Sequence, residues 1–269
     1  MSTISRVVWF AALVLLLSAC FGSKESKKLR LATTTSVTDS GLLAELAPAF
    51  EKRTGYKLEI SAVGSGKALE LVSTGGADVA ITHAPDAEQQ AVAAGKVGKR
   101  VPLMHNEFVL LGPKEGGELV AGAADVAEAL RKVAASGRKF VSRADESGTH
   151  QREKAFWTAA GIRADSAFIV QARAGMGKTL ELASKEGAFT LSDRSTFTAH
   201  RGDLDLAIVF QGDPALRNFY SVIEPPGSSS KSLEGALSLE EYLRSAEGRA
   251  LIGGFGVRAA GEALFTPDN

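Results

Sequence analysis

The sequence predicts an α/β protein of two lobes with a ligand cleft between them. Three observations carry that reading. Short strand-like runs alternate with segments of helical spacing along most of the chain. Two strand-like stretches, near residues 110–113 and 219–226, look like connectors by which the chain leaves one lobe and returns to it, a hinge with a cleft beside it. Turns rich in Ser, Thr and Gly recur between a strand and a helix, where folds of this kind bind ligands.

Taken in order, residues 1–19 read as a signal peptide. Arg6 is the only charge before Lys24, and the apolar run at 7–19 falls short of the roughly 18 residues a spanning helix needs. Leu17-Ser18-Ala19-Cys20 resembles a bacterial lipobox, so 20–28 reads as a lipidated Cys20 and a tether. A strand is predicted at 28–33, then the cap-rich TTTSVTDSG. A helix carries Leu42, Leu43, Leu46 and Phe50 and stops at Gly55. Strands follow at 58–63, 78–82, 101–103 and 107–111, with a short helix at 68–73. In the second region, helices are predicted at 123–136, 151–160 and 178–185, and strands at 140–143, 167–171, 189–191 and 205–209. A strand at 220–223 and helices at 239–245 and 246–253 close the chain. The sheets are expected to be mostly parallel. Lobe 1 is placed at 29–111 with 220–269, and lobe 2 at 112–219.

Composition narrows the function. Of 269 residues, 31 are basic and 31 acidic, so the basic excess of a general nucleic-acid binder is missing. One Cys permits neither an internal disulfide nor a thiolate metal cage. An exported chain is poorly placed for enzymology that runs on ATP or NAD. Capture, sensing or cell-wall work suits it better.

Four turns carry the chemistry: Thr33-Thr34-Thr35-Ser36, Gly64-Ser65-Gly66, Ser147-Gly148-Thr149, and Ala174-Gly175-Met176-Gly177. Each is placed between a strand and a helix. The first amides of a helix lack backbone partners and see the positive end of the macrodipole. Hydroxyls add neutral donors, and glycine lets the backbone approach a ligand closely. Any one such turn is an ordinary cap. Several on one framework point to an anion. Arg143, at the end of a predicted strand, adds a permanent planar charge suited to oxyanions, or else pairs structurally with Asp145, Glu146 or Asp193. Gly177-Lys178-Thr179 ends like a P-loop, but its required first glycine is Ala172. There is no G-x-S-x-G elbow, and the four His residues (His83, His105, His150, His200) lack metal-site spacing and read as surface or capping residues. Phe156 and Trp157 read as core.

With these residues in view, TTTS after the first strand, SRADESGTH, AGMGKTLELAS and LSDRSTF resemble the tungstate-binding proteins of bacterial ABC importers, the TupA family. The blocks keep their order and spacing from about Leu29 to Val257. The resemblance implies the two-lobed type II periplasmic binding protein fold. It implies a non-enzymatic receptor that takes tungstate, and molybdate too, between its lobes and passes it to a permease. Residue by residue it points to Thr34, Thr35, Ser36 and Ser65 on one lobe and Arg143 and Thr149 on the other. Gly175, Met176 and Gly177 match a cleft turn. Ser192-Asp193-Arg194-Ser195 departs from the family pattern, in which Thr and Gly stand at the outer positions.

The residue chemistry agrees. Tungstate at neutral pH is a deprotonated dianion, so its site needs donors, whereas phosphate keeps a proton and rewards a carboxylate acceptor. Sulfate is also an all-acceptor dianion, which cavity size rather than donor type must exclude. The expectation is a lipid-anchored, extracytoplasmic monomer with no cofactor and no nucleic-acid partner. Receptors for molybdate, sulfate or phosphate, and more remotely an exported serine hydrolase, are the alternatives.

Overall fold

The computed structural model describes residues 27–227 and 231–268. The signal peptide, Cys20 and most of the tether lie outside the described residues. So do residues 228–230 of the Gly/Ser run and residue 269.

Strand β1 (Lys27–Thr34) buries Leu29 and Leu31 and runs directly into helix α1 (Thr35–Asp39). Thr34 makes that junction: its backbone is extended and its hydroxyl accepts from Val37 N at 3.4 Å, the N-cap geometry. Helix α2 (Leu42–Thr54) turns Leu42, Leu43, Leu46 and Phe50 inward and ends on Gly55, whose φ of 77° favours glycine. Strand β2 (Tyr56–Val63), helix α3 (Ser65–Ser73) and strand β3 (Val79–Thr82) follow, both strands parallel to β1. Helix α4 (Pro85–Ala93) has no counterpart in the sequence reading. Pro85 at its first turn and acids Asp86 and Glu88 behind it start the helix. Its single buried residue, Glu88, gives no apolar stripe to detect.

Strand β4 (Arg100–Gly112) is one element where the sequence predicts two. His105, Asn106 and Glu107 interrupt its apolar pattern because there it passes from one hydrophobic core to another. The second lobe holds helix α5 (Val126–Ala135), strand β5 (Phe140–Ser142), helix α6 (Gly148–Ala160), strand β6 (Ile169–Gln171), helix α7 (Met176–Glu186), strand β7 (Thr190–Asp193), helix α8 (Arg194–His200) and strand β8 (Ala207–Phe210). Strand β9 (Arg217–Ile223) leads back, and helices α9 (Lys231–Arg244) and α10 (Ala246–Gly254) with strand β10 (Thr266–Pro267) complete the first lobe.

The large sheet has the order β10-β4-β9-β3-β1-β2, and the far half of β4 pairs with β7 and β8. It is mixed rather than mostly parallel. β4 is antiparallel to β7, β8, β9 and β10, and β3 is antiparallel to β9. A strand that leaves a lobe and one that returns must run oppositely, so the connectors impose antiparallel pairing. Leu29, Leu31, Phe50, Met104, Tyr220 and Phe265 share one core, whereas Phe108, Leu110, Phe140, Trp157, Phe189 and Leu216 share another. β4 therefore crosses at residues 105–107, ahead of the exit expected near 110–113, because β7 and β8 already cover Leu110 and Leu111. Among the described residues no helix is long and apolar enough to cross a membrane.

Candidate functional site

The N-termini of α1 and α3 in the first lobe meet those of α6 and α7 in the second. A Cβ on Gly64 would lie 3.7 Å from Ser147 Cα, and one on Gly148 would lie 3.0 Å from His83 Cε1. Thr35 and Asp39 line a groove together with Gly175, Gly177 and His200. The Thr196 hydroxyl, 2.8 Å from Asp193 Oδ2, is also 3.3 Å from the Ser36 carbonyl across the seam. The lobes are in contact along this seam.

Arg143 follows β5 and is 1% exposed. Its Nε donates to the Ala174 carbonyl at 2.9 Å, and its Nη2 donates to Asp145 Oδ2 at 2.5 Å. The pairing with Asp145 is one of the alternatives the sequence left open, yet it uses one side of the guanidinium. Nη1 is buried without a partner among the described residues, and so is Thr149 Oγ1. Leaving a buried donor unmade costs about 1–3 kcal/mol, more when it is charged. Two such donors at the meeting point of four helix N-termini describe a place for an anion.

The turn between Arg143 and Thr149 holds them in place. Ala144 and Glu146 have φ of 47° and 58°, left-handed values that non-glycine residues rarely adopt. Asp145 Oδ1 accepts from Ser147 N at 3.2 Å, and Ser147 caps α6 by accepting from His150 N at 3.3 Å. These bonds over-determine a strained turn, as is common where geometry serves a ligand.

On the first lobe the hydroxyls are arranged differently. Thr34 Oγ1 accepts from Val37 N, and Ser65 Oγ accepts from His83 N at 3.4 Å. A hydroxyl that accepts a backbone N–H keeps its own hydrogen to donate, so both remain available as oriented donors. Thr35 is half-buried at the groove, and Ser36 is buried. Gly175 caps α7 in extended backbone without a side-chain bond. Met176 packs its side chain into the core with Val141 and Leu180, which leaves its backbone alone to face a ligand. A Cβ on Gly177 would lie 3.3 Å from His200 Cε1.

Several participants escaped the sequence reading. His83 is a buried residue, not a surface one, and stacks on Tyr220 with ring centroids 5.0 Å apart. Its Nδ1 is 2.9 Å from Asn218 Oδ1, while Asn218 Nδ2 donates to Asn106 Oδ1 and Tyr220 Oη, each at 2.8 Å. Asn218 Oδ1 is thus left to accept, which assigns the proton to His83 Nδ1. Burial pushes the His83 pKa down, so the ring is neutral at pH 7. Asp193 is fully buried and accepts from Ser195 Oγ at 2.5 Å and Thr196 N at 2.9 Å. Glu153 lies beneath Arg143 and accepts from its backbone N at 3.2 Å. Its spacing of four from Thr149 was the available signal, since residues four apart share a helix face. At the groove, burial pushes the half-buried Asp39 carboxyl up, with His200 and Arg143 opposing and Asp193 adding. His150 does act as a cap, its Nδ1 accepting from Glu146 N at 3.1 Å, and Phe156 and Trp157 are core.

Two α/β lobes on antiparallel connectors, with unpaired donors buried at their seam, have the build of a solute-binding protein. The PBP superfamily domain matches residues 22–244. A tungstate-binding protein TupA of Peptoclostridium acidaminophilum is 41% identical over 245 residues, covering 88% of this chain and 85% of that protein. The crystal structure of the tungstate ABC transporter from Geobacter sulfurreducens superimposes with a TM-score of 0.77 at 38% identity, over 85% of this chain and 98% of that one. The tungstate-binding protein TupA from Desulfovibrio alaskensis G20 gives 0.75 at 38% identity, over 90% and 99%. The chain belongs to the TupA family of periplasmic binding proteins.

Proposed function

We propose that this chain captures tungstate, and molybdate with it, outside the cytoplasm and delivers it to an ABC permease. The observation that carries the reading is the pair of buried donors Arg143 Nη1 and Thr149 Oγ1, which have no partner among the described residues. Thr34, Thr35, Ser36 and Ser65 supply donors from the first lobe. The backbone of Gly175, Met176 and Gly177 closes the far side. Such a set suits an oxyanion that carries no proton and can only accept. The chain works as a binding protein without catalysis, as a monomer whose lobes comprise roughly residues 29–104 with 220–268, and 108–216. The relatives named for tungstate support the choice of anion.

Calorimetric titration of the purified protein with tungstate, molybdate, sulfate and phosphate tests this. Tungstate is expected to bind most tightly or equally with molybdate, and phosphate least. Tight phosphate binding would mean that Asp39 acts as an acceptor for a protonated oxyanion, and would overturn the reading. Anchoring through Cys20 is part of the proposal. Cys20→Ser is expected to move the protein from the membrane fraction to the soluble fraction with tungstate affinity unchanged. Recovery of wild type as an unlipidated soluble protein would refute the anchor.

A further inference from the structure

Beneath the anion site lies a carboxyl that oxyanion binding does not itself require. Glu153 projects from α6 one turn after Thr149 and is 1% exposed. Its Oε2 is 2.6 Å from Ser142 Oγ, and its Oε1 accepts from Arg143 N at 3.2 Å. Ser142 Oγ also accepts from Ala144 N at 3.2 Å. Glu153 thus braces the three residues that lead into the strained turn. Among the described residues no cation forms an ion pair with it, since the Arg143 guanidinium faces Asp145.

The surrounding charges offer it little relief. Arg143 and Asp145 act on it with opposite sign. On α5, Glu128 and Lys132 pair with each other at 3.6 Å. At the end of β7, Asp193 is held by Ser195 and Thr196. On α6 itself, Lys154 pairs with Glu146 at 2.9 Å, and burial pushes the His150 pKa down and keeps the ring neutral. A dianion on Arg143 Nη1 would join the negative charge of Asp145. An ionised Glu153 would then add a further negative charge, in a dry place, against a single guanidinium.

We propose that Glu153 is the proton partner of this site: it braces the Arg143 turn as a neutral acid, and the dianion is captured only while that proton is in place. The inference rests on the anion-binding reading above. Burial holds the carboxyl neutral, its pKa pushed up to about 8, with the bonds from Ser142 and Arg143 N and the Arg143 charge opposing. A bound dianion raises it further. Above that pH, binding takes up a proton from solvent, and affinity falls about tenfold per pH unit until the complex itself ionises.

Calorimetry with sodium tungstate, from about pH 6.5 to about pH 9.5, in paired buffers of unequal ionisation enthalpy, counts the protons directly. Tungstate stays a dianion across this window. Expected for wild type are a Kd flat to about pH 7.5, at least about tenfold weaker binding at the alkaline end, and uptake approaching one proton per tungstate. Glu153→Gln is expected to take up no proton and to flatten the profile. Wild-type uptake near zero at about pH 9 overturns the proposal, as does a Glu153→Gln profile matching wild type, which would assign the decline to exposed groups such as Lys178. Should the Gln variant fail to fold, Lys178→Ala decides: uptake that persists in it supports Glu153, and uptake that is lost with Lys178 overturns the proposal. Absence of tungstate binding at pH 7 defeats the anion reading itself, whereas binding at pH 7 without uptake at higher pH defeats only the role of Glu153.

Discussion

The two lobes build their halves of the site by different means. In the first, Thr34 and Ser65 are already engaged, accepting from Val37 N and His83 N. Their oxygens belong to the fold, and only their hydrogens are left to offer. In the second, Arg143 Nη1 and Thr149 Oγ1 have no partner among the described residues. The first lobe presents oriented, neutral, self-satisfied donors. The second holds an unbalanced charge that the proposed anion would relieve. Charge and strain are concentrated where the turn at 144–147 holds them, and the partner lobe needs only to close over them.

The comparison predicts where substitutions bite hardest. Arg143→Ala should weaken tungstate binding most, by about 3–5 kcal/mol, two to nearly four decades. Arg143→Lys should restore part of that, because an ammonium lacks the planar fork that reaches Asp145 and the ligand together. Isothermal titration measures both. A Kd for Arg143→Ala within about threefold of wild type would show that the second lobe does not carry the charge for binding.

Glu153 tests whether the second lobe also stores instability without ligand. Its folded pKa is raised from 4.5 to about 8, so between those values the folded chain holds a proton that the unfolded chain has released. Stability therefore falls as pH rises through that window, by at most about 1.4 kcal/mol per pH unit from this group. Glu153→Gln should flatten that part of the profile and raise the melting temperature of ligand-free protein at pH 8 relative to wild type. Thermal denaturation at pH 5 and pH 8 checks it, and equal slopes in both proteins would mean that Glu153 is not held neutral.

Thr149→Val should cost roughly 1.5–3 kcal/mol of binding, yet leave the ligand-free melting temperature no lower, since the lost hydroxyl has no partner among the described residues to abandon. Ser65→Ala and Thr34→Ala should cost less binding, about 0.5–1.5 kcal/mol each, and should lower the ligand-free melting temperature by stranding a backbone N–H. Paired melting and titration of the three variants sharpens the contrast. If Thr149→Val destabilises the empty protein as Ser65→Ala does, the two lobes are built alike and the distinction fails.

Local chemistry settled much of this protein in advance. The alternation of strands and helices, the Thr34 and Ser147 caps, the stop at Gly55 and the Ser/Thr/Gly turns are written in short windows of sequence. The physics behind them, propensity and capping, acts over a few residues. Arg143 is legible as well, because a permanent, planar charge at the end of a predicted strand suits an oxyanion. What the tertiary structure alone decided is which partners are missing. That Nη1 and Thr149 Oγ1 find no partner among the described residues, and that His83 and Asp193 lie inside, depend on atoms distant in the chain meeting at the seam. The mixed sheet has the same origin, because strand direction is set by where β4 and β9 cross between the lobes. Glu153 shows the limit most clearly. Its residue type suggests a solvated charge, and only enclosure by Ser142, the Arg143 backbone and the second core makes it neutral. Burial is a property of the assembled fold, and a proton's affinity follows burial more than residue type.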